Sequence, residues 1–145
     1  MGLLSTKRHI AKSQLVDDQT LSDTPKAYYS NVFGDLEIKL KNHEFQTGRI
    51  KNEFGDTTLD LIELKIVSGE KQINVTGVFG DIHVITPKHV PFYLKASILA
   101  GDIKLLGERH SGLLLDKEFK SPDYDSAFNR LKIYISHVFG DVKVS

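Results

Sequence analysis

A glycine-aspartate pair set between β-forming residues recurs five times along this chain of 145 residues. The glycines of these units are Gly34, Gly55, Gly80, Gly101 and Gly140. Successive glycines are 21, 25, 21 and 39 residues apart, and a period of roughly 20 to 50 residues is typical of stacked repeats. The spacing therefore predicts an all-β, single-domain β-solenoid, a parallel β-helix-like stack in which each coil covers the apolar face of the next.

The segments around the repeats alternate between apolar and polar side chains, as half-buried strands do. This pattern is clear at residues 36–40, 72–76, 93–98 and 129–136. By contrast, residues 107–112 are expected to form a loop, and the polar residues 116–126 are expected to be irregular. An antiparallel β-sandwich is the alternative fold, because short strands at even spacing also fit that architecture.

Each residue of the repeated unit has a separate expected role. The phenylalanine, replaced by Ala100 in one unit, is expected to bury its ring in the core. Glycine is expected to permit a bulge or sharp corner. Aspartate is expected to accept a hydrogen bond from a backbone N–H one or two residues further on. The five aspartates could instead form a row that binds metal, but one oxygen per coil falls short of the roughly six to eight that calcium takes.

Composition sets the domain organisation. Residues 1–29 are polar and lack the unit, which predicts a flexible leader or linker, or a short helix, before a β-domain at 30–145.

The 19 basic and 19 acidic residues argue against nucleic-acid binding. No cysteine is present, so disulfides and thiol catalysis are excluded. No apolar run reaches the roughly 18 to 20 residues that span a bilayer.

No catalytic motif is found in the sequence. There is no HExxH helix motif, no Walker loop and no GxSxG nucleophile motif, so we expect a non-enzyme without cofactor and with no catalytic or metal-binding residues. His83 and His137 lie in alternating segments and are expected to face outward. A small-ligand or carbohydrate-binding β-domain is an alternative, although the sequence does not indicate a cluster of exposed aromatic side chains. The partner-binding residues are not predicted.

Three stretches carry a resemblance to a known family. They are FGDTTLDL at 54–61 followed by Gly69-Glu70, VFGDIHVITP at 78–87, and the closing RLKIYISHVFGDVKV at 130–144. In their order and in the closing strand, they resemble the C-terminal domain of the LiaF family, the cell-wall-active antibiotic response proteins of bacteria. The resemblance covers residues 31–145.

This resemblance implies a regulator that restrains a membrane sensor histidine kinase in a two-component response to cell-envelope stress. Family members typically carry transmembrane helices before this domain. Since this chain shows none, we expect a fragment, which would be membrane-associated, or a stand-alone relative, which would be cytoplasmic. The partner surface would be a strand face or an exposed sheet edge.

A second hypothesis is a structural module that forms a homo-oligomer through its end coils. It rests on the last unit, which reaches almost to Ser145. Little sequence therefore remains to cover that end of the stack.

Overall fold

The structure, a computed structural model, describes residues 4–6, 14–17, 26–41 and 47–145. These residues form twelve β-strands and no helix. The strands are β1 (Leu4–Thr6), β2 (Gln14–Asp17), β3 (Lys26–Phe33), β4 (Leu36–Leu40), β5 (Thr47–Phe54), β6 (Thr57–Asp60), β7 (Glu70–Phe79), β8 (Ile82–Ile85), β9 (Phe92–Leu105), β10 (Glu108–Lys120), β11 (Arg130–Phe139) and β12 (Val142–Val144).

Each coil of the stack consists of a long strand, a glycine-aspartate corner and a short strand. The long strands β3, β5, β7 and β11 pair in parallel with one another and with the first part of β9. The short strands β4, β6, β8 and β12 pair in parallel with one another and with the end of β9. Because parallel neighbours stack in register on both faces, the predicted solenoid is confirmed and the sandwich alternative is wrong.

The spatial order of the coils departs from the sequence order at one place. Strand β11 lies between β7 and β9, and β12 lies between β8 and β9. The last unit of the sequence is therefore an interior coil, flanked on both sides. One end of the stack is formed instead by β9 and β10.

The insertion before the last coil is a strand rather than a loop. After a turn at Leu106 and Gly107, β10 runs antiparallel to β9 over its whole length. The predicted loop at 107–112 is therefore wrong, as is the irregular structure predicted for 116–120. The hydroxyl of Tyr93 donates to Glu118 over 2.7 Å, and this hydrogen bond, with burial, raises the pKa of Tyr93 to about 12.

The irregular structure predicted for 116–126 is correct for residues 121–126, which follow β10, and the irregular segment extends to residue 129. Tyr124 is buried there, and its hydroxyl donates to Glu70 over 2.6 Å. That hydrogen bond is the main cause that lowers the pKa of the Glu70 carboxyl. This contact ties the returning segment to the start of β7.

The core lies between the row of long strands and the row of short strands, which belong to one sheet joined through β9. Its fully buried large side chains are Leu36, Ile38, Leu59, Leu61, Leu64, Ile73, Ile82, Leu94, Ile103, Leu131 and Ile133. Burying one such side chain contributes about 1.5 to 3 kcal/mol. The remaining strands add smaller or slightly less buried apolar residues, namely Tyr29 of β3, Ile50 of β5, and Val142 and Val144 of β12. Every coil therefore contributes buried apolar side chains from both of its strands, and the core is continuous along the stack.

The N-terminal strands lie at the other end of the stack. Strand β1 pairs antiparallel with β4, and β2 pairs antiparallel with β3. The other residues before Lys26 lie outside the described part of the chain. The division into a leader at 1–29 and a β-domain at 30–145 stays a prediction.

Candidate functional site

The corners of the coils are packed so closely that glycine is required there. At Gly80 the backbone has φ +117°, and a Cβ would lie 2.1 Å from the carbonyl oxygen of Gly55 in the next coil. At Gly140 φ is +131° and the corresponding distance, to the oxygen of Gly80, is 1.9 Å. A side chain is therefore excluded both by the left-handed backbone and by the neighbouring coil. The expected role of glycine at a sharp corner is confirmed.

The aspartates of the unit join one coil to the next. The Oδ1 atoms of Asp35, Asp56, Asp81 and Asp141 each accept a hydrogen bond from the backbone N–H of the next aspartate in the stack, and Asp102 is the last donor. The N···O distances are 3.0 Å for Asp35 to Asp56, 2.9 Å for Asp56 to Asp81, 3.0 Å for Asp81 to Asp141 and 3.3 Å for Asp141 to Asp102. We call these five residues the aspartate ladder. The expected bond within each aspartate's own turn is wrong, because the stacked coil presents its N–H to the carboxylate instead.

The phenylalanines of the unit stack on one another at the surface. Ring centroids are 5.2 Å apart from Phe33 to Phe54, 5.5 Å from Phe54 to Phe79 and 5.3 Å from Phe79 to Phe139. In that order their exposed fractions are 57%, 39%, 46% and 43%. We call these four residues the phenylalanine ladder. The expectation of rings buried in the core is therefore wrong, and the exposed aromatic cluster that the sequence did not indicate is present here.

Five buried residues of four types line the inner side of the corners, one in each coil. They are Asn31, Asn52, Gly77, His137 and Ile98, paired in register across the long strands. The amide of Asn52 donates to the carbonyl oxygens of Gly34 and Asp56 at 3.0 and 3.2 Å. It also accepts from Asn31 over 3.1 Å. This amide therefore satisfies carbonyl groups of two successive corners.

His137 is buried at the inner corner, so its expected outward orientation is wrong. Its Nε2 lies 2.5 Å from the carbonyl oxygen of Gly80. The ring occupies the space beside Gly77, where an added Cβ would lie 2.7 Å from Nδ1. His83, in contrast, is half-buried on a short strand and contacts the Ser145 hydroxyl at 2.9 Å. Burial is the main cause that lowers the pKa of His83.

The outer surface of the corner carries the carboxylates of the aspartate ladder, four of them exposed. Asp102 is paired with Arg109 at 3.1 Å. The other four members of the aspartate ladder form no ion pair with any residue that the structure describes. Each of these carboxylates lies two residues after a ladder phenylalanine, so their Cα atoms are at most about 7 Å apart. The two ladders together, which we call the corner ridge, present an apolar row beside a row of negative charge.

A second surface feature is a shallow depression on the outer face of the long strands. Its volume is about 350 Å³. It is lined by Tyr28, Arg49, Ile50, Lys51, Asn74, Val75, Thr76, Tyr134 and Ser136. The lining combines two cations, Arg49 and Lys51, with two aromatic side chains, Tyr28 and Tyr134.

Two properties of the described residues bear on other kinds of site. Within the described ranges, no three His, Asp or Glu side chains are grouped so that they could hold a metal ion. The part of the chain with assigned structure also has no helix of the length and apolar character needed to cross a membrane.

The family described as "Cell wall-active antibiotics response LiaF, C-terminal" matches residues 32–144 of this chain. The chain belongs to this LiaF-like family. A curated relative, Protein LiaF of Bacillus subtilis (strain 168), is 28% identical over 115 residues. The match covers 79% of this chain and 48% of the relative, so the chain spans about half the length of that LiaF protein. The resemblance predicted from the corner units is confirmed.

A solved structure supports the fold of this LiaF-like domain. It is a crystal structure described as that of a "putative cell adhesion protein" from Clostridium sporogenes ATCC 15579. The TM-score is 0.50 at 16% identity, and the match covers 99% of this chain and 80% of that chain. At this identity the similarity concerns the fold alone.

Proposed function

We propose that this domain is a non-catalytic regulatory module that modulates a sensor histidine kinase in a bacterial response to cell-envelope stress. Membership of the LiaF-like family supports a role in the response to cell-wall-active antibiotics. The kinase is part of the proposal, because the chain matches only 48% of the LiaF relative. The observation that carries an interaction role is the half-exposed phenylalanine ladder of the corner ridge.

The exposure of the ladder has a physical cost that a partner would remove. Monomeric soluble proteins rarely expose contiguous apolar patches larger than a few hundred Å², and larger patches mark interaction sites. Two exposed apolar residues accompany the four stacked rings, Val32 next to Phe33 in β3 and Leu99 next to Ala100 in β9. A partner that covers this row would remove its apolar surface from water. Each Å² that is buried contributes about 25 cal/mol of favourable free energy. A protein partner is therefore the simplest means of stabilising the ridge.

The proposal is tested by co-purification of the domain with a candidate sensor histidine kinase, together with a reporter of the output of that kinase. We expect the double substitution Phe54→Ala/Phe79→Ala to abolish kinase capture and to release kinase output. Tyr134→Ala, on the outer face of β11 in the depression, is the matched control and should leave both unchanged. Circular dichroism confirms that each variant is folded. Full capture and regulation by the folded double variant would refute the ridge as the regulatory surface.

Self-association is a second candidate function, and the free edge of β10 favours it. Among the described strands, β10 pairs with β9 alone, and Leu113 and Leu114 are 73% and 78% exposed on it. An unpaired edge strand can pair with a strand of a second chain. Lysines on such a strand oppose this pairing, and β10 carries Lys117 and Lys120. We expect light scattering at micromolar concentration to show a dimer that Leu114→Asp disrupts. A strict monomer removes this candidate.

A further inference from the structure

The spacing of the phenylalanine ladder matches the pitch of an α-helix. Successive rings lie 5.2, 5.5 and 5.3 Å apart, and a helix rises about 5.4 Å per turn. A helix lying along the stack axis would therefore place one apolar side chain against each coil, without drifting out of register over the whole ladder. Three helical turns rise about 16 Å, the same length as the row of rings.

An extended peptide does not fit the same row. Side chains on one face of a strand repeat every two residues, which is about 6.6 to 6.8 Å. Against ring spacings of 5.2 to 5.5 Å, an extended segment would be out of register by more than an ångström per coil. The mismatch would reach most of a ring spacing within three coils. The ladder therefore favours a helical partner over a strand.

Charge on one flank of the ladder adds a second requirement. Asp35, Asp56, Asp81 and Asp141 form no ion pair with a described residue, and each uses Oδ1 for the ladder hydrogen bond. Their second carboxylate oxygens remain available to accept hydrogen bonds from Lys or Arg. On the opposite flank, the residues that precede the rings are Val32, Glu53, Val78 and Val138. A matching helix therefore carries cations on one side of its apolar stripe and few on the other.

We propose that the corner ridge binds an amphipathic α-helix of a partner protein that lies along the stack. One apolar side chain per turn contacts the phenylalanine ladder, and Lys or Arg side chains beside that stripe pair with the aspartate ladder. This inference rests on the proposed function, since it gives the chemistry of the partner at the same ridge. An anionic lipid surface is disfavoured, because the free carboxylates would face headgroups of their own charge.

The test uses three designed, fluorescently labelled peptides of about 14 residues, a length of roughly four helical turns. The first has one Leu per turn with Lys on one flank, and a hydrocarbon staple on the far face keeps it helical, because short helices are marginal in water. The second replaces each flanking Lys by Glu. The third has the composition of the first in an alternating order and no staple. We expect the full domain to bind the first peptide at least about tenfold more tightly than either other one.

Two variants of the domain separate the apolar and ionic parts of the contact. Asp56→Asn/Asp81→Asn retains a side-chain oxygen that can accept the ladder hydrogen bond but removes two charges. We expect it to weaken binding of the lysine peptide by about tenfold and to reduce its salt dependence between about 50 and 300 mM NaCl. Phe54→Ala/Phe79→Ala should abolish binding. Equal binding of the lysine and glutamate peptides, or of the helical and alternating peptides, would overturn the proposal.

The outcomes also distinguish this inference from the proposed function. Vesicles with about one-third phosphatidylglycerol should not bind the domain, since like charges repel; ridge-dependent vesicle binding would replace the helix by a membrane. If the kinase is captured through the phenylalanines but capture is insensitive to salt and to the asparagine variant, the helix chemistry is wrong while the regulatory function stands. Failure of kinase capture with retained peptide binding would leave the ridge a helix receptor for another protein.

Discussion

The two sides of the corner differ in how they repeat. On the outside, the same phenylalanine occupies four of the five coils, although each ring is between 39% and 57% exposed. On the inside, the positions are buried, yet the residues there are two asparagines, a glycine, a histidine and an isoleucine. The uniform row is thus the one that faces water.

This difference shows that core packing does not by itself explain the repeated phenylalanine. Each inner residue fits its own local space, as His137 does beside Gly77. Packing in the interior demands only complementary shapes and satisfied polar groups. The outer row repeats the same side chain at the same spacing. Ring stacking within the protein would explain this repetition, and so would a partner whose contacts are regularly spaced.

The largest expected effect concerns the glycines on which both sides depend. Gly101→Ala should lower the free energy of unfolding by about 3 kcal/mol or more, because overpacking and a left-handed backbone act together. Its Cβ would lie 1.9 Å from the carbonyl oxygen of Gly140. Urea denaturation of the purified domain measures this change.

Gly112→Ala is the matched control for backbone strain. Gly112 faces Gly101 across the β9–β10 pair, and their φ angles are +143° and +141°. Among the described residues, the one atom within 4 Å of a Cβ at Gly112 would be Leu115 Cδ2, at 3.9 Å. We therefore expect about 1 to 2 kcal/mol for the control, from strain alone. Equal costs for the two substitutions would mean that close stacking of the corners is not what requires glycine.

The sequence predicts the stack because glycine and aspartate recur with a period, but it misleads on the ring orientation. Ile73, Val75 and Gly77 are buried on β7, and the same alternation would place Phe79 inside. The chain turns at Gly80 immediately afterwards, so the ring is directed outward and contacts its neighbours in the stack. The alternation of inward and outward side chains no longer predicts orientation at a corner, because the strand and its sheet face end there.

For His137 the alternation along the strand indicates the burial that the structure shows. Ile133 and Ile135 are buried on β11, and His137 has the same parity. The polar type of the residue indicates an outward position instead, and the outward prediction is wrong for that reason. The place of the last coil, between two coils that precede it in the chain, has no local signal. It depends on β10 filling the outer side of β9, which alternating periodicity alone does not indicate.

The second prediction examines the inner row. Gly77→Ala should cost about 2 kcal/mol by overpacking, since its Cβ would lie 2.7 Å from His137 Nδ1 and 3.3 Å from Ile82 Cδ1. In a His137→Ala background, the same substitution should cost less than half as much. A double-mutant cycle by urea denaturation measures this coupling. An unchanged cost in both backgrounds would show that the histidine does not fill that space.

A smaller loss is expected from the inner asparagines. Asn52→Ala removes a buried amide that donates to two carbonyl oxygens and accepts from Asn31. We expect a loss of about 1 to 3 kcal/mol, because the buried groups left behind lose their partner. Asn74→Ala, half-exposed on the outer face of β7, is the control and should change stability by less than about 0.5 kcal/mol. Similar costs at both positions would contradict a specific role for the inner amide.

The smallest effect on stability should come from the outer row. Phe79→Ala removes a half-exposed ring that stacks on Phe54 and Phe139, and aromatic pairs contribute about 0.5 to 1.5 kcal/mol each beyond the area they bury. We expect a total loss of about 1 kcal/mol, since replacement by alanine leaves the other two rings in water rather than around a cavity. Ile73→Ala, fully buried on the same strand, should cost about 2 to 5 kcal/mol.

Thermal and urea unfolding of the two variants, measured side by side, decide between two explanations of the phenylalanine ladder. If Phe79→Ala costs as much as Ile73→Ala, ring stacking is a main source of stability and the repeated phenylalanine needs no partner. If it costs little while partner binding is lost, the row is uniform because something outside the domain contacts it.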